Sequence, residues 1–163
     1  MHRIGLLNGP NLDRLGKREP GIYGSMTLAQ IEEMVVAKAK SMDIEMDTYQ
    51  SNHEGSMIDK IHKWADSGFK GLILNPGGFT HTSVALRDSV VASGLDTVEV
   101  HLSNIYARED FRHKSLISGV AKGVIAGLGY WGYLSALDYF SEQSANPIKL
   151  YDYSLENWLN LGE

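Results

Sequence analysis

The residues best equipped for proton chemistry are Glu99 and His101, two apart in the run TVEVHL. On a strand, alternation puts both side chains on one face. There a carboxylate can hold an imidazole in one tautomer and orientation, as a general acid requires. A solvated strand end with a chance pairing has the same letters. Arg18 and Tyr23 in KREPGIYG form a second candidate pair. A free phenol has a pKa near 10 and is a poor base at neutral pH. A guanidinium about 4 Å away, at an effective dielectric of ~20, favours the phenolate by about 4 kcal/mol as an upper figure. Tyr23 is therefore a candidate base, although a tyrosine that only closes a loop onto the body fits the spacing too. Its flanking Pro20, Gly21 and Gly24 suit a loop that closes over a ligand. The third stretch is NPGGFTHTS, Asn75 to Ser83. Its glycines let backbone approach a ligand, and a helix starting near Thr80 to Ser83 would offer free N–H groups to an anion. An ordinary strand-to-helix turn with a Thr or Ser cap is the competing reading. The stretch has neither the Walker lysine pattern nor GxGxxG, so nucleotide binding has no specific support. His81, Asp88, Glu99 and His101 are competent metal ligands, but no HExxH or equivalent spacing joins them, and no metal is expected.

These residues need elements to position them, and the hydrophobic pattern supplies a set. Residues 3–8, 44–50, 70–75, 97–102 and 122–127 read as five short strands. Helices are expected from Leu28, from about Glu54, over 82–93 and over 130–141. Thr27 and Gln30 make a capping box for the first, with an apolar face of Leu28, Ile31, Val35 and Met42. Ser51 and Glu54 suggest another box ahead of Met57, Ile58, Ile61, Trp64 and Ala65. Strands alternating with helices through short joins imply a parallel sheet covered on both faces. With right-handed crossovers the α/β fold class follows: a flavodoxin-like, doubly wound, five-stranded parallel sheet in a three-layer α/β/α sandwich. Residues 1–141 are expected to form a single domain and 142–163 a tail that docks on the body or on a neighbouring subunit. Ligands in such folds bind outside the carboxyl ends of the strands. Arg14, Arg18, Arg108 and Arg112 gather at that edge, as do several histidines, and surface cations have no folding reason to crowd there.

Composition limits the classes of function. The 163 residues are 43% apolar and 21% charged, which suits one globular domain with a real core. A formal charge of −5 gives no support to nucleic-acid binding. There are no cysteines, so disulfides and thiolate metal sites are excluded. No run approaches the roughly 20 apolar residues of a membrane span. Met1-His2-Arg3 leads straight into an apolar run, so no signal peptide is expected and a cytoplasmic location is.

Four long segments carry a family resemblance: LNGPNLDRLGKREPGIYG, QSNHEGSMIDKIHKW, LNPGGFTHTSVALRD and EVHLSNIYAREDFRHKS. In this order, over about residues 3 to 140, they resemble the signature segments of type II 3-dehydroquinate dehydratase. The resemblance implies a flavodoxin-like enzyme that needs no metal or organic cofactor. It removes water from 3-dehydroquinate by anti elimination through an enolate, giving 3-dehydroshikimate. It assigns Tyr23 as base, Arg18 as the group that keeps it phenolate, and Asn11 as an enolate stabiliser, through a water. His101, oriented by Glu99, becomes the acid for the departing hydroxyl. Substrate binding falls to Asn75, Gly77, Gly78, His81, Leu102, Ser103 and Arg112, with Arg108 close to the loop that carries Arg18. Asp88 matches a position that reaches the site of an adjacent subunit. A homo-oligomer is implied, a dodecamer built from trimers. Gly78-Phe79 stands where members vary, and the tail, with Trp158 and Leu159, is longer than the pattern. The same reaction serves aromatic biosynthesis by the shikimate pathway and quinate breakdown. A non-catalytic module that binds a small acidic metabolite would keep the anion cradle but would not need Tyr23, Arg18 and His101 together.

Overall fold

The computed structural model describes residues 2–17, 21 and 25–145. Among the described residues five strands alternate with four α-helices. They are β1 (His2–Asn8), α1 (Leu28–Ser41), β2 (Ile44–Gln50), α2 (Glu54–Asp66), β3 (Gly71–Asn75), α3 (Val84–Ser93), β4 (Asp96–His101), β5 (Gly123–Ala126) and α4 (Trp131–Ala145). All strand pairings are parallel, in the order β2-β1-β3-β4-β5. This is the doubly wound flavodoxin-like order, in which the chain reverses its direction of winding between β1 and β3. Asn8 and Asn75, the last residues of those two strands, stand side by side in register.

Alternation along each strand divides the core into two layers. Ile4, Leu6, Ile73, Val98 and Val100 face α1 and α4, which bring Ile31, Val35, Tyr133, Leu137 and Phe140. Leu7, Leu72 and Leu74 face α2 and α3, which bring Met57, Ile61, Trp64, Leu86 and Val90. Trp64 occupies space that β1 leaves at Gly5, where an added Cβ would stand 2.5 Å from the indole ring. The indole N–H donates to Asp47 on β2 at 2.8 Å, and Lys60 binds the same carboxylate oxygen. Among the described residues no helix is long and apolar enough to cross a membrane.

Helix α1 begins as expected: Thr27 Oγ1 accepts from the Gln30 N–H, and the Gln30 side chain accepts from the Thr27 N–H. Its buried stripe is Leu28, Ile31, Val35 and Ala39, with Met42 at the cap beyond the last turn. The second expected capping box does not form. His53 is the N-cap of α2 and makes no side-chain cap bond; Ser51 lies two residues before the cap, and its hydroxyl accepts from the His53 N–H rather than from that of Glu54. Helix α3 starts at Val84 rather than at 82, since Gly77–Thr80 winds into a 3-10 turn first. Helix α4 runs on to Ala145, past residue 141 where that helix was expected to end.

Candidate active site

A cleft of about 160 Å³ opens at the carboxyl edge of the sheet, over the ends of β1, β3 and β4. This is the reversal point where such sheets bind ligands. Of the residues singled out in the sequence, Asn11, Asn75, Gly77, Gly78, His81, His101, Leu102, Ser103, Arg108 and Arg112 all line it. Glu99 stands behind His101. Asp88 does not reach the cleft of its own chain: it lies on α3 with its side chain 63% exposed and pairs with Arg87 at 2.8 Å. Arg18 and Tyr23 lie outside the described residues, as do the expected loop closure and residues 146–163 of the expected tail.

Strand β4 delivers the acid pair. His101 Nε2 donates to Glu99 Oε1 at 2.5 Å, and both side chains are buried. The Glu99 carboxylate also accepts from Ser118 Oγ at 2.6 Å and from Ser115 Oγ at 2.9 and 3.1 Å. Ser115 Oγ in turn accepts the N–H groups of Ile117 and Ser118, which leaves its own proton for Glu99. Burial pushes the Glu99 carboxyl up. The bonds from His101 and Ser118, the His101 charge and the Ser115 bond outweigh it and hold the carboxyl below its ordinary value. Glu99 is thus a fixed negative charge, and Nδ1 is the His101 nitrogen left for the cleft.

The loop after β1 brings Asn11. Its backbone is left-handed, φ 68°, a conformation that Asn tolerates better than most residues. The Asn11 N–H donates to Asn52 Oδ1 at 2.8 Å, and Gln50 Nε2 bonds both that oxygen and the Gly9 carbonyl. The end of β2 therefore sets where Asn11 sits.

The expected anion cradle at the start of α3 is built differently. The Ser83 side chain caps α3 by accepting from the Leu86 N–H at 2.8 Å, so that helix end is served internally. The cleft wall is the 3-10 turn before it. Gly77 has φ 57°, and a Cβ there would meet the Pro10 carbonyl oxygen at 3.0 Å, so the close approach of the two loops requires glycine. His81 Nδ1 donates to the Lys114 carbonyl at 2.8 Å, which fixes the tautomer and leaves Nε2 for the cleft. On the far side, Arg108 Nη1 donates to Ser103 Oγ at 3.2 Å, and Arg112 Nε holds Glu109 at 2.7 Å. Two histidines, three arginines and several amide groups around so small a volume suit an anion rich in hydroxyls.

Comparison with known proteins agrees with this geometry. The family model for class II dehydroquinases matches residues 2–141. The chain belongs to that family. The 3-dehydroquinate dehydratase of Corynebacterium pseudotuberculosis is 55% identical over 136 residues, covering 82% of this chain and 92% of its own. The 3-dehydroquinate dehydratase of Bacillus licheniformis is 51% identical over 140 residues, 86% of this chain and 96% of its own. The crystal structure of the type II dehydroquinase of Butyrivibrio crossotus superposes with a TM-score of 0.83 at 44% identity, covering 85% of this chain and 96% of that one.

Within this class II dehydroquinase, several cleft residues carried no assigned role in the sequence. Arg14 belonged to the crowd of cations and now lines the cleft, two-thirds exposed. Leu12, Leu15 and Ile105 supply its apolar wall. Ser115 and Ser118 had no readable signal, because they reach Glu99 across 16 and 19 residues of irregular chain.

Proposed function

We infer that the chain is a 3-dehydroquinate dehydratase of type II, a hydro-lyase that converts 3-dehydroquinate to 3-dehydroshikimate. The observation that carries this reading is the His101–Glu99 pair presented to a cleft lined by Asn11, Asn75, His81 and Arg112 in a class II dehydroquinase. Tyr23, kept as phenolate by Arg18, takes the proton next to the substrate carbonyl. The electron pair moves onto the carbonyl oxygen, and the enolate is stabilised by Asn11 through a water, where its charge develops. The enolate then collapses to the enone as the hydroxyl leaves on the opposite face. His101 gives that hydroxyl the Nδ1 proton, while its Nε2–H stays hydrogen-bonded to Glu99, which holds the ring in orientation. The products are the enone and one water.

The substrate carboxylate and ring hydroxyls are assigned to Asn75, His81, Ser103, the Leu102 backbone and Arg112, with Gly77 and Gly78 as the wall they lie against. Arg108 is assigned to substrate binding, close to the loop that carries Arg18. Asp88, turned away from its own cleft, is assigned to the site of a neighbouring subunit in a homo-oligomer, a dodecamer of trimers. A cytoplasmic place in the shikimate pathway belongs to the same reading, and quinate breakdown would use identical chemistry. The test is turnover of 3-dehydroquinate by purified protein, followed by the ultraviolet absorbance of the conjugated enone. Tyr23→Phe is expected to abolish turnover while substrate still binds in calorimetry. Absence of turnover by the folded wild type from mildly acid to alkaline pH refutes the function, and an active Tyr23→Phe variant refutes the base.

A further inference from the structure

Behind Asn75, beneath the cleft floor, runs a chain of polar side chains, Tyr133, Asn8 and Glu32, for which the mechanism above has no use. Tyr133, on α4, is fully buried, and its hydroxyl oxygen accepts from Asn75 Nδ2 at 2.8 Å. The same hydroxyl donates to Asn8 Oδ1 at 2.6 Å. Asn8 Nδ2 donates to Glu32 Oε1 at 3.0 Å, and Thr48 Oγ1 approaches Glu32 Oε2 at 3.4 Å. At the cleft end, Asn75 Oδ1 accepts the Gly77 N–H at 3.2 Å. An ionised carboxylate can only accept, and a backbone N–H can only donate. The polarity of the chain is therefore set from both ends: Gly77 fixes the Asn75 oxygen, Glu32 fixes the Asn8 amide, and the Tyr133 hydroxyl must bridge them in one sense.

We propose that Tyr133, with Asn8 and Glu32 behind it, is a positioning residue for substrate binding that commits one N–H of Asn75 to the interior and reserves the other for the cleft. A flipped Asn75 would turn its carbonyl oxygen toward an anionic substrate and leave buried groups unpaired, which is costly in a dry interior. The inference rests on the dehydratase reading for its substrate. Because Asn75 binds ground state and transition state alike, loosening it raises KM more than it lowers kcat.

The experiment is steady-state kinetics on 3-dehydroquinate with thermal melts, for wild type, Tyr133→Phe, Glu32→Gln, Asn75→Ala and the double variant Tyr133→Phe/Asn75→Ala. Tyr133→Phe is expected to raise KM about tenfold, with kcat within about threefold of wild type. Glu32→Gln, which can both donate and accept and so no longer dictates the polarity, is expected to raise KM about threefold. In the Asn75→Ala background, Tyr133→Phe is expected to change KM no further, since its action passes through Asn75. An unchanged KM in either single variant, whatever the melting temperature does, overturns the proposal. So does an additive KM effect in the double variant. If Tyr133→Phe fails to fold, Glu32→Gln at its half-buried site decides the question. A wild type that does not turn over 3-dehydroquinate refutes the functional reading instead.

Discussion

Removing the Ser118 hydroxyl isolates what holds the acid pair in its working state. Ser118 Oγ donates to the fully buried Glu99 carboxylate at 2.6 Å, the shortest of its serine contacts. A hydrogen bond to a charged group contributes about 1.5–3 kcal/mol net. In Ser118→Ala the carboxylate keeps its burial cost with one fewer bond from the protein. The Glu99 carboxyl, held low in the wild type, therefore moves up toward the value that burial alone would impose. The sign of the pH dependence follows. A depressed folded-state value contributes stability that is fully present above the unfolded carboxyl pKa, near 4.3, and is lost as pH falls through the folded value. Ser118→Ala is accordingly expected to lose about 2 kcal/mol in denaturant unfolding near neutral pH, and the gap to wild type to narrow in acid below the ordinary carboxyl range. The same bond helps hold the carboxylate that orients the His101 ring, so its loss also loosens the acid in the cleft. A transition-state loss of about 2 kcal/mol corresponds to a kcat lower by roughly 30-fold with KM little changed. A stability loss of the same size at every pH, or an unaltered kcat in a destabilised variant, would refute the idea that Ser118 acts through the charge on Glu99.

Two further substitutions probe the frame around the site. Gly5→Ala forces a methyl against the Trp64 ring at 2.5 Å and is expected to cost about 1–3 kcal/mol, read as a lower denaturant midpoint with an unchanged slope. Asn52→Ala frees the Asn11 N–H and leaves Gln50 Nε2 with its bond to the Gly9 carbonyl; kcat is expected to fall about tenfold with a melting temperature close to wild type, and an unchanged kcat would show that Asn11 holds its left-handed turn without Asn52.

What was legible in the sequence is what short-range periodicity encodes. The Glu99–His101 contact follows from alternation along one strand, and the Thr27–Gln30 box from a three-residue spacing, so both could be read locally. The Ser51–Glu54 pattern had the same spacing and failed, because the Ser51 hydroxyl found the nearer His53 N–H before α2 began. The shift of α3 to Val84 has a similar cause: Gly77 adopts a positive φ that starts a 3-10 turn, and Ser83 rather than Thr80 then becomes the cap. The supporting contacts of the site are a different kind of information. Ser118 meets Glu99 across 19 residues, Tyr133 meets Asn75 across 58 and Asn8 across 125. No spacing in the chain marks those pairs; they exist only once α4 has packed on the sheet and the loop after β4 has folded back on it. The chemical groups are therefore placed by the strands, which are legible, while their protonation states and amide orientations are set by serines and a tyrosine that are not. Substitutions at the serines should consequently alter pH dependence and kcat, and at the tyrosine KM, before they alter the fold, and that order of effects is what separates a positioning role from a merely structural one.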